Sequence, residues 1–210
     1  MLPIPISPPN QLTLLRILLT PVFLYYLFSP DPLDKQIALG IFLLAAITDW
    51  YDGYVARRWG FITRWGKFLD PLADKVLTSA AFFSFIVFGY AEAWMVWVIV
   101  IRDFAMTFLR GYAEWKGTTI NTSGFAKTKT FFQLVVIYLF LVNYIVRTSD
   151  PLNAQFGWFF DIVATEPIKY SLMLITTFLT ALTGVMYLIS NWPVISSLFT
   201  GKGNGTSAGQ

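Results

Sequence analysis

Neither cysteine nor histidine occurs anywhere in the 210 residues. The first absence excludes disulfides, thiolate nucleophiles and thiolate metal sites. The second removes the commonest general base and the commonest zinc ligand. Charge is scarce too: 13% of residues are Asp, Glu, Lys or Arg, against about 25% in a soluble domain. Any acid–base or metal chemistry must therefore come from carboxylates, Lys, Arg, Tyr or backbone. The net charge of +3 suits an anionic membrane surface or a phosphorylated ligand. It is too diffuse to argue for nucleic acid.

What fills the chain instead is apolar: 56% of it is hydrophobic, with a mean hydropathy of +0.59. A bilayer-crossing helix needs roughly 17–25 mostly apolar residues. Six stretches meet that requirement, over Leu12–Phe28, Gln36–Ala56, Asp70–Tyr90, Ala93–Ala113, Thr130–Arg147 and Ile168–Ile189. The expected fold class is all-α: a polytopic membrane protein of six transmembrane helices with a polar site facing the cytoplasm. Residues 1–200 read as one domain, and 201–210, "GKGNGTSAGQ", as a flexible tail. The start, "MLPIPISPPN", lacks a positive region and a small-residue cleavage site, so the first span is read as retained.

Basic residues orient such a bundle. Arg57, Arg58, Arg64 and Lys67 lie between spans two and three, and Arg110, Lys116, Lys127 and Lys129 between four and five. The opposite connections balance Lys35, Arg147 and Lys169 against Asp31, Asp34, Glu92, Asp150, Asp161 and Glu166. Both termini are thus expected in the cytoplasm. The connection 148–167, with Trp158, Phe159 and Phe160, reads as a loop on the far membrane interface.

Against this background the stretch "TDWYDGYVARRWGFITRWGKFLDPLADK" gathers Asp49, Asp52, Asp70 and Asp74. At about 100° per residue, Asp49, Asp52, Gly53 and Ala56 share one helix face. Gly66, Asp70 and Asp74 share another. Four carboxylates held together repel one another and lose solvation, so something positive must offset them. Solvated helix ends, pairing with Arg57, Arg58 or Arg64, or a cap at Asp70 before Pro71 would each account for single acids. None accounts for four at helical spacing with small residues between. Oxygen-only ligands select hard cations, Mg²⁺ first, with Mn²⁺ and Ca²⁺ behind it. Mg²⁺ commonly bridges carboxylates and substrate phosphates. Gly53, Ala56 and Gly66 would let a nucleotide lie against helix backbone, although small residues also serve close helix packing.

The pattern Asp49-x2-Asp52-Gly53-x2-Ala56-Arg57-x8-Gly66-x3-Asp70-x3-Asp74 resembles the signature of the CDP-alcohol phosphotransferases, with every defining position filled. The resemblance implies transfer of a phosphatidyl-type group from a CDP-linked lipid to an alcohol, with release of CMP. It implies that Asp49, Asp52, Asp70 and Asp74 hold Mg²⁺, or Mn²⁺, in a site of one or two ions. It further implies that Asp74 is the base for the attacking hydroxyl. Asp49, Asp52, Gly53, Ala56, Arg57, Gly66 and Asp70 would contact the CDP moiety, with Arg57 on its phosphates. A homodimer is also implied.

Outside the signature, "PPNQLTLLRILLTP", "LDPLADK", "VIRDF" and "KTKTFFQ" resemble the bacterial branch of that family that joins CDP-diacylglycerol to glycerol 3-phosphate in the inner membrane. That branch often has glycine where this chain has Ala126, with Gly124 further back. A phosphorylated acceptor calls for cations, and the candidates are Arg16, Lys75, Arg102, Arg110, Lys127 and Lys129. Arg102 lies in an apolar run, where a charge is costly unless paired, and Asp103 or a site aspartate could pair with it. Lys127 and Lys129 point about 200° apart on a helix, so one of them is expected to face the site. Arg16 is expected near Asn10 and Thr13 at the cytoplasmic edge. Two other classes can place aspartates in membranes. A prenyltransferase would release pyrophosphate rather than CMP. A transporter would show flux without product and broken helices at mid-membrane. Serine, an inositol phosphate or another alcohol would be the rival acceptors within the family.

Overall fold

Apolar helical periodicity, punctuated by proline and glycine, resolves into eight α-helices in the computed structural model, which describes residues 8–59, 64–118 and 124–200. Side chains are described for 13–48, 69–118 and 128–198. The helices are α1 Pro8–Leu27, α2 Pro32–Trp59, α3 Arg64–Val87, α4 Ala93–Trp115, α5 Gly124–Thr148, α6 Asp150–Val163, α7 Glu166–Ser190 and α8 Trp192–Thr200. No strand occurs among the described residues.

Two glycines stop α3 and α4 by the same device. Gly89 and Gly117 adopt φ of 71° and 78°, a region that costs a residue with a Cβ. The amide of Tyr90 then reaches the Phe85 carbonyl at 2.8 Å, and Gly89 that of Ile86 at 3.2 Å. After α4, Thr118 bonds Ala113 at 2.9 Å and Gly117 bonds Glu114 at 3.0 Å. Both are Schellman closures, which satisfy carbonyls that a helix end leaves open.

Six helices form a ring. α1 lies between α2 and α3, α4 joins α3 to α7, and α5 closes the ring from α7 back to α2. Aromatic packing fills one end. Phe88 stacks on Tyr144 at 3.8 Å between centroids, and Phe85 meets Phe140 edge-on at 5.4 Å. Phe23, Phe42 and Tyr138 continue this core between α1, α2 and α5.

The outer surface is greasy and the interior partly polar. On α7, Phe178, Val185 and Ile189 are exposed, whereas Thr176, Thr177, Thr180 and Thr183 are buried. Such inverted amphipathicity suits a hydrocarbon solvent, where polar groups must find partners inside. Two described helices, Thr128–Thr148 and Glu166–Ser190, are long and apolar enough to cross a bilayer.

All six stretches read as spans are helical, as α1 to α5 and α7. The reading of 148–167 as a loop is corrected: it contains α6. Pro151 opens that helix within its first turn, where a missing N–H costs nothing. The Asn143 side chain on α5 then donates to the Phe160 carbonyl at 2.7 Å. The short helix α8, packed on α7, is a second element the apolar runs did not show.

Candidate functional site

The acidic motif falls on two helix segments. Asp49, Asp52, Gly53, Ala56 and Arg57 lie in the second half of α2, and Gly66, Asp70 and Asp74 in the first half of α3. The side chains of Asp49, Asp52, Ala56 and Arg57 lie outside the described residues, as does that of Lys127. Asp70 and Asp74 stand one turn apart on α3, half-buried. The Thr13 hydroxyl of α1 donates to Asp70 Oδ1. One turn further along α1, the buried Arg16 guanidinium lies within electrostatic reach of the same carboxylate. Asp74 Oδ2 lies 3.3 Å from Lys75 Nζ.

Lys75 links this edge to a second cluster. Its Nζ is 3.5 Å from Asp103 Oδ2 on α4. Asp103 is 3% exposed, and each of its oxygens has two partners. Oδ1 accepts from Lys129 Nζ at 2.5 Å and from Arg102 Nη1 at 3.1 Å. Oδ2 accepts from Gln133 Nε2 at 3.2 Å, with Lys75 beside it. Lys129 and Gln133 are one turn apart on α5 and so face α4 together. Arg102 turns its other nitrogen, Nη2, to the Thr183 hydroxyl of α7 at 2.9 Å. Thr183 in turn donates to the Leu179 carbonyl at 2.8 Å.

Gly184 makes room for this arginine. A Cβ there would stand 3.0 Å from Arg102 Cγ and 3.2 Å from Nε. Glycine is needed here for close approach rather than for an unusual backbone angle.

Among the described residues three cations, Lys75, Arg102 and Lys129, thus meet two acids, Asp74 and Asp103, leaving net positive charge in a mostly buried place. Nearby polar atoms are also left open. Among the described residues, Arg102 Nε and Arg110 Nε on α4, Gln133 Oε1 on α5, and Thr180 Oγ1 and the Tyr187 hydroxyl on α7 are buried without a hydrogen-bond partner. Buried polar atoms are normally satisfied, so a group of them around excess charge points to a ligand. A phosphate with hydroxyl groups has the required complement: negative charge, acceptors and donors.

The remaining candidates separate. Arg110 lies two turns beyond Arg102 on α4 and takes no part in the contacts around Asp103 among the described residues. Arg16 sits with Asp70 rather than with Lys129. Lys129 is buried, and the expectation that one of Lys127 and Lys129 faces inward rests for Lys127 on a side chain outside the described residues. Ala126 falls in the first turn of α5, whose first residue is Gly124.

Sequence reasoning named Asp103 only as a possible partner for Arg102. It did not see that this acid also collects Lys75 and Lys129. The available signal was an aspartate inside an apolar run. Gln133 was legible as the residue one turn after Lys129. Thr183 and Gly184 carried no signal, since a threonine and a glycine in an apolar helix have many uses.

Asp70 and Asp74 suit a hard divalent cation. Both are oxygen ligands on one helix face, and among the described residues each has one oxygen in contact with a protein side chain. No group of three candidate metal ligands occurs among the described residues, and the Asp49 and Asp52 side chains lie outside them.

Comparison with known proteins finds relatives over most of the chain. The family model described as CDP-alcohol phosphatidyltransferase matches residues 7–195. A protein of Bacillus subtilis, named CDP-diacylglycerol–glycerol-3-phosphate 3-phosphatidyltransferase, is 33% identical over 201 residues, covering 90% of this chain and 97% of its own. A Rickettsia bellii protein of the same name is 31% identical, over 85% of this chain and 92% of its own. One from Salmonella paratyphi A is 37% identical over 138 residues, covering 61% and 73%.

Proposed function

The chain belongs to the CDP-alcohol phosphatidyltransferase family, and from that premise we propose the reaction it performs and the residues that perform it. It transfers the phosphatidyl group of CDP-diacylglycerol to a hydroxyl of glycerol 3-phosphate. The products are phosphatidylglycerol phosphate and CMP. The observation that carries this reading is the junction at Asp74 and Lys75: neighbouring residues, one on the acidic motif and the other on the buried cation cluster.

The acceptor's phosphate is bound by Lys75, Arg102 and Lys129, which supply charge that Asp103 and Asp74 do not cancel. This leaves the acceptor's hydroxyl end directed toward Asp74. Asp74 takes the hydroxyl proton as the oxygen attacks the phosphatidyl phosphorus. The bond from that phosphorus to CMP breaks, and CMP leaves with the bonding electrons. Such transfers depend on alignment and charge neutralisation more than on covalent help. Asp49, Asp52, Asp70 and Asp74 are the residues that would hold Mg²⁺. When bound, the ion neutralises diphosphate charge and makes the phosphorus more electrophilic. Thr13 fixes the Asp70 carboxylate for that role. Gly53, Ala56, Arg57 and Gly66 receive the CDP moiety. Asp74 serves as both ligand and base, and Arg16 serves Asp70 before the acceptor.

In this reading α1 to α5 and α7 all cross the bacterial inner membrane, with both termini and the site on the cytoplasmic side. The charge of Arg57, Arg58, Arg64 and Lys67 supports the orientation. Exposed Trp158 and Phe159 on α6 suit the opposite interface. A homodimer completes the proposal.

The test incubates purified protein with CDP-diacylglycerol, Mg²⁺ and glycerol 3-phosphate in competition with serine and inositol phosphate, and identifies the lipid product. Phosphatidylglycerol phosphate with stoichiometric CMP is the expected result. Product from serine or inositol phosphate with none from glycerol 3-phosphate overturns the acceptor assignment. Pyrophosphate in place of CMP overturns the reaction class.

A further inference from the structure

We infer that Asp103 is a positioning residue for the acceptor: it sets the spacing of the cations that bind the acceptor's phosphate, and so governs acceptor affinity without touching either substrate. The inference deepens the acceptor-site reading above and rests on it.

The geometry supports this in three ways. First, Asp103 has no capacity to spare. An ionised carboxylate offers about four acceptor positions, and Lys129, Arg102, Gln133 and Lys75 account for that number. A group so occupied cannot take a substrate proton or bind a metal ion without giving up a partner. Second, its partners come from separate helices: Lys75 from α3, Arg102 from α4, and Lys129 and Gln133 from α5. Three like charges brought this close repel one another, and lysine stems are long enough to carry their ammonium groups elsewhere. One carboxylate at 3% exposure, built into the middle of α4, holds them in register.

Third, the cations keep donors in reserve. An ammonium has three N–H groups. Lys129 directs one at Asp103, Lys75 approaches Asp74 and Asp103, and Arg102 Nε is buried without a partner among the described residues. Asp103 thus orients these side chains without exhausting them. Asp74 sits beside the same lysine, so a shift of the cation group would also displace the acceptor's phosphate relative to the base.

The test uses full-length protein in mixed lipid–detergent micelles, with Asp103→Asn, Asp103→Glu and Lys129→Met. CMP release is measured while each substrate is varied in turn, and inorganic phosphate is titrated as a competitive inhibitor against glycerol 3-phosphate. Asp103→Asn is expected to raise the acceptor KM by about tenfold or more. The donor KM should stay within about twofold, and phosphate inhibition should weaken in step with the acceptor KM. Asp103→Glu keeps the charge but moves it by one methylene, and should give a smaller rise in the same constant.

A rise in both KM values together, or a glutamate no better than asparagine, reduces Asp103 to a packing role and overturns the inference. Should the asparagine variant fail to accumulate as a folded protein, the glutamate variant decides by itself: an unchanged acceptor KM overturns the inference. Lys129→Met separates the two levels. If it raises the acceptor KM while both Asp103 variants leave it unchanged, the positioning role fails and the acceptor site stands. If it leaves that constant unchanged, the acceptor-site reading has failed.

Discussion

Lys129 Nζ lies 2.5 Å from Asp103 Oδ1, and both side chains are almost wholly out of contact with solvent. The pair is not symmetric. Among the described residues Asp103 has four partners, whereas Lys129 has Asp103. Removing the acid takes the carboxylate from Lys129 and Arg102 and leaves Lys75 with Asp74, whereas removing the lysine still leaves the acid paired with Arg102 and Lys75. Asp103→Leu should therefore destabilise by about 3–5 kcal/mol. Lys129→Met should cost less, about 1–3 kcal/mol. Thermal unfolding in detergent checks the order, and an equal or reversed ranking would contradict the network described.

Asp74 is the proposed base. A general base contributes about 10²–10⁴-fold. Asp74→Asn should lower kcat within that range, with a smaller change in the donor KM. CMP release at saturating substrates measures it, and wild-type turnover in this variant would remove Asp74 from the role.

The proposed metal dependence has its own signature. Chelation with EDTA should abolish CMP release. Mg²⁺ should restore it and Mn²⁺ should do so in part, because an oxygen-only site accepts either ion. Activity that persists after exhaustive chelation would refute the assignment of Asp49, Asp52, Asp70 and Asp74 as ligands.

Two buried glycines make opposite predictions. An added methyl at Gly184 meets Arg102 at Cγ and Nε, in the middle of a side chain anchored at both ends of its guanidinium. Gly184→Ala should displace Arg102 from Thr183 and raise the acceptor KM. At Gly157 on α6 the nearest atom is the tip of Asn153, 2.5 Å away, which can rotate aside. Gly157→Ala should leave both KM values unchanged. Paired steady-state measurements decide whether the contact or merely the burial matters.

Asn143 is wholly buried in α5 and works in two directions. It accepts from the Tyr90 hydroxyl and donates to the Phe160 carbonyl at 2.7 Å. Asn143→Leu would strand both partners, and unsatisfied buried groups cost about 1–3 kcal/mol each. The variant should lose protection of α6 backbone amides in hydrogen exchange before it loses that of α4. Uniform loss across both helices would show that Asn143 supports the whole bundle rather than α6.

Much of this was legible because two sequence signals are local. Long apolar runs give helices whatever surrounds them, since a backbone in an apolar setting must satisfy its own hydrogen bonds. Six of the eight described helices follow from that alone. The acidic motif was equally open to reading, because fixed spacing on a helix fixes which residues share a face. Helix α6 was not legible. It is short, its apolar residues do not form a long run, and its tie to Asn143 spans 17 positions.

By itself, the sequence determined the helical class, the absence of thiol and imidazole chemistry, and the set of carboxylates and cations available for a site. Only the tertiary structure decided which of those cations act together. Lys75, Arg102 and Lys129 lie on three helices, and charge attraction to the buried Asp103 joins them. Neither hydropathy nor helical spacing records such a meeting. It depends on how the ring closes, and ring closure is a property of packed helix faces rather than of any one segment.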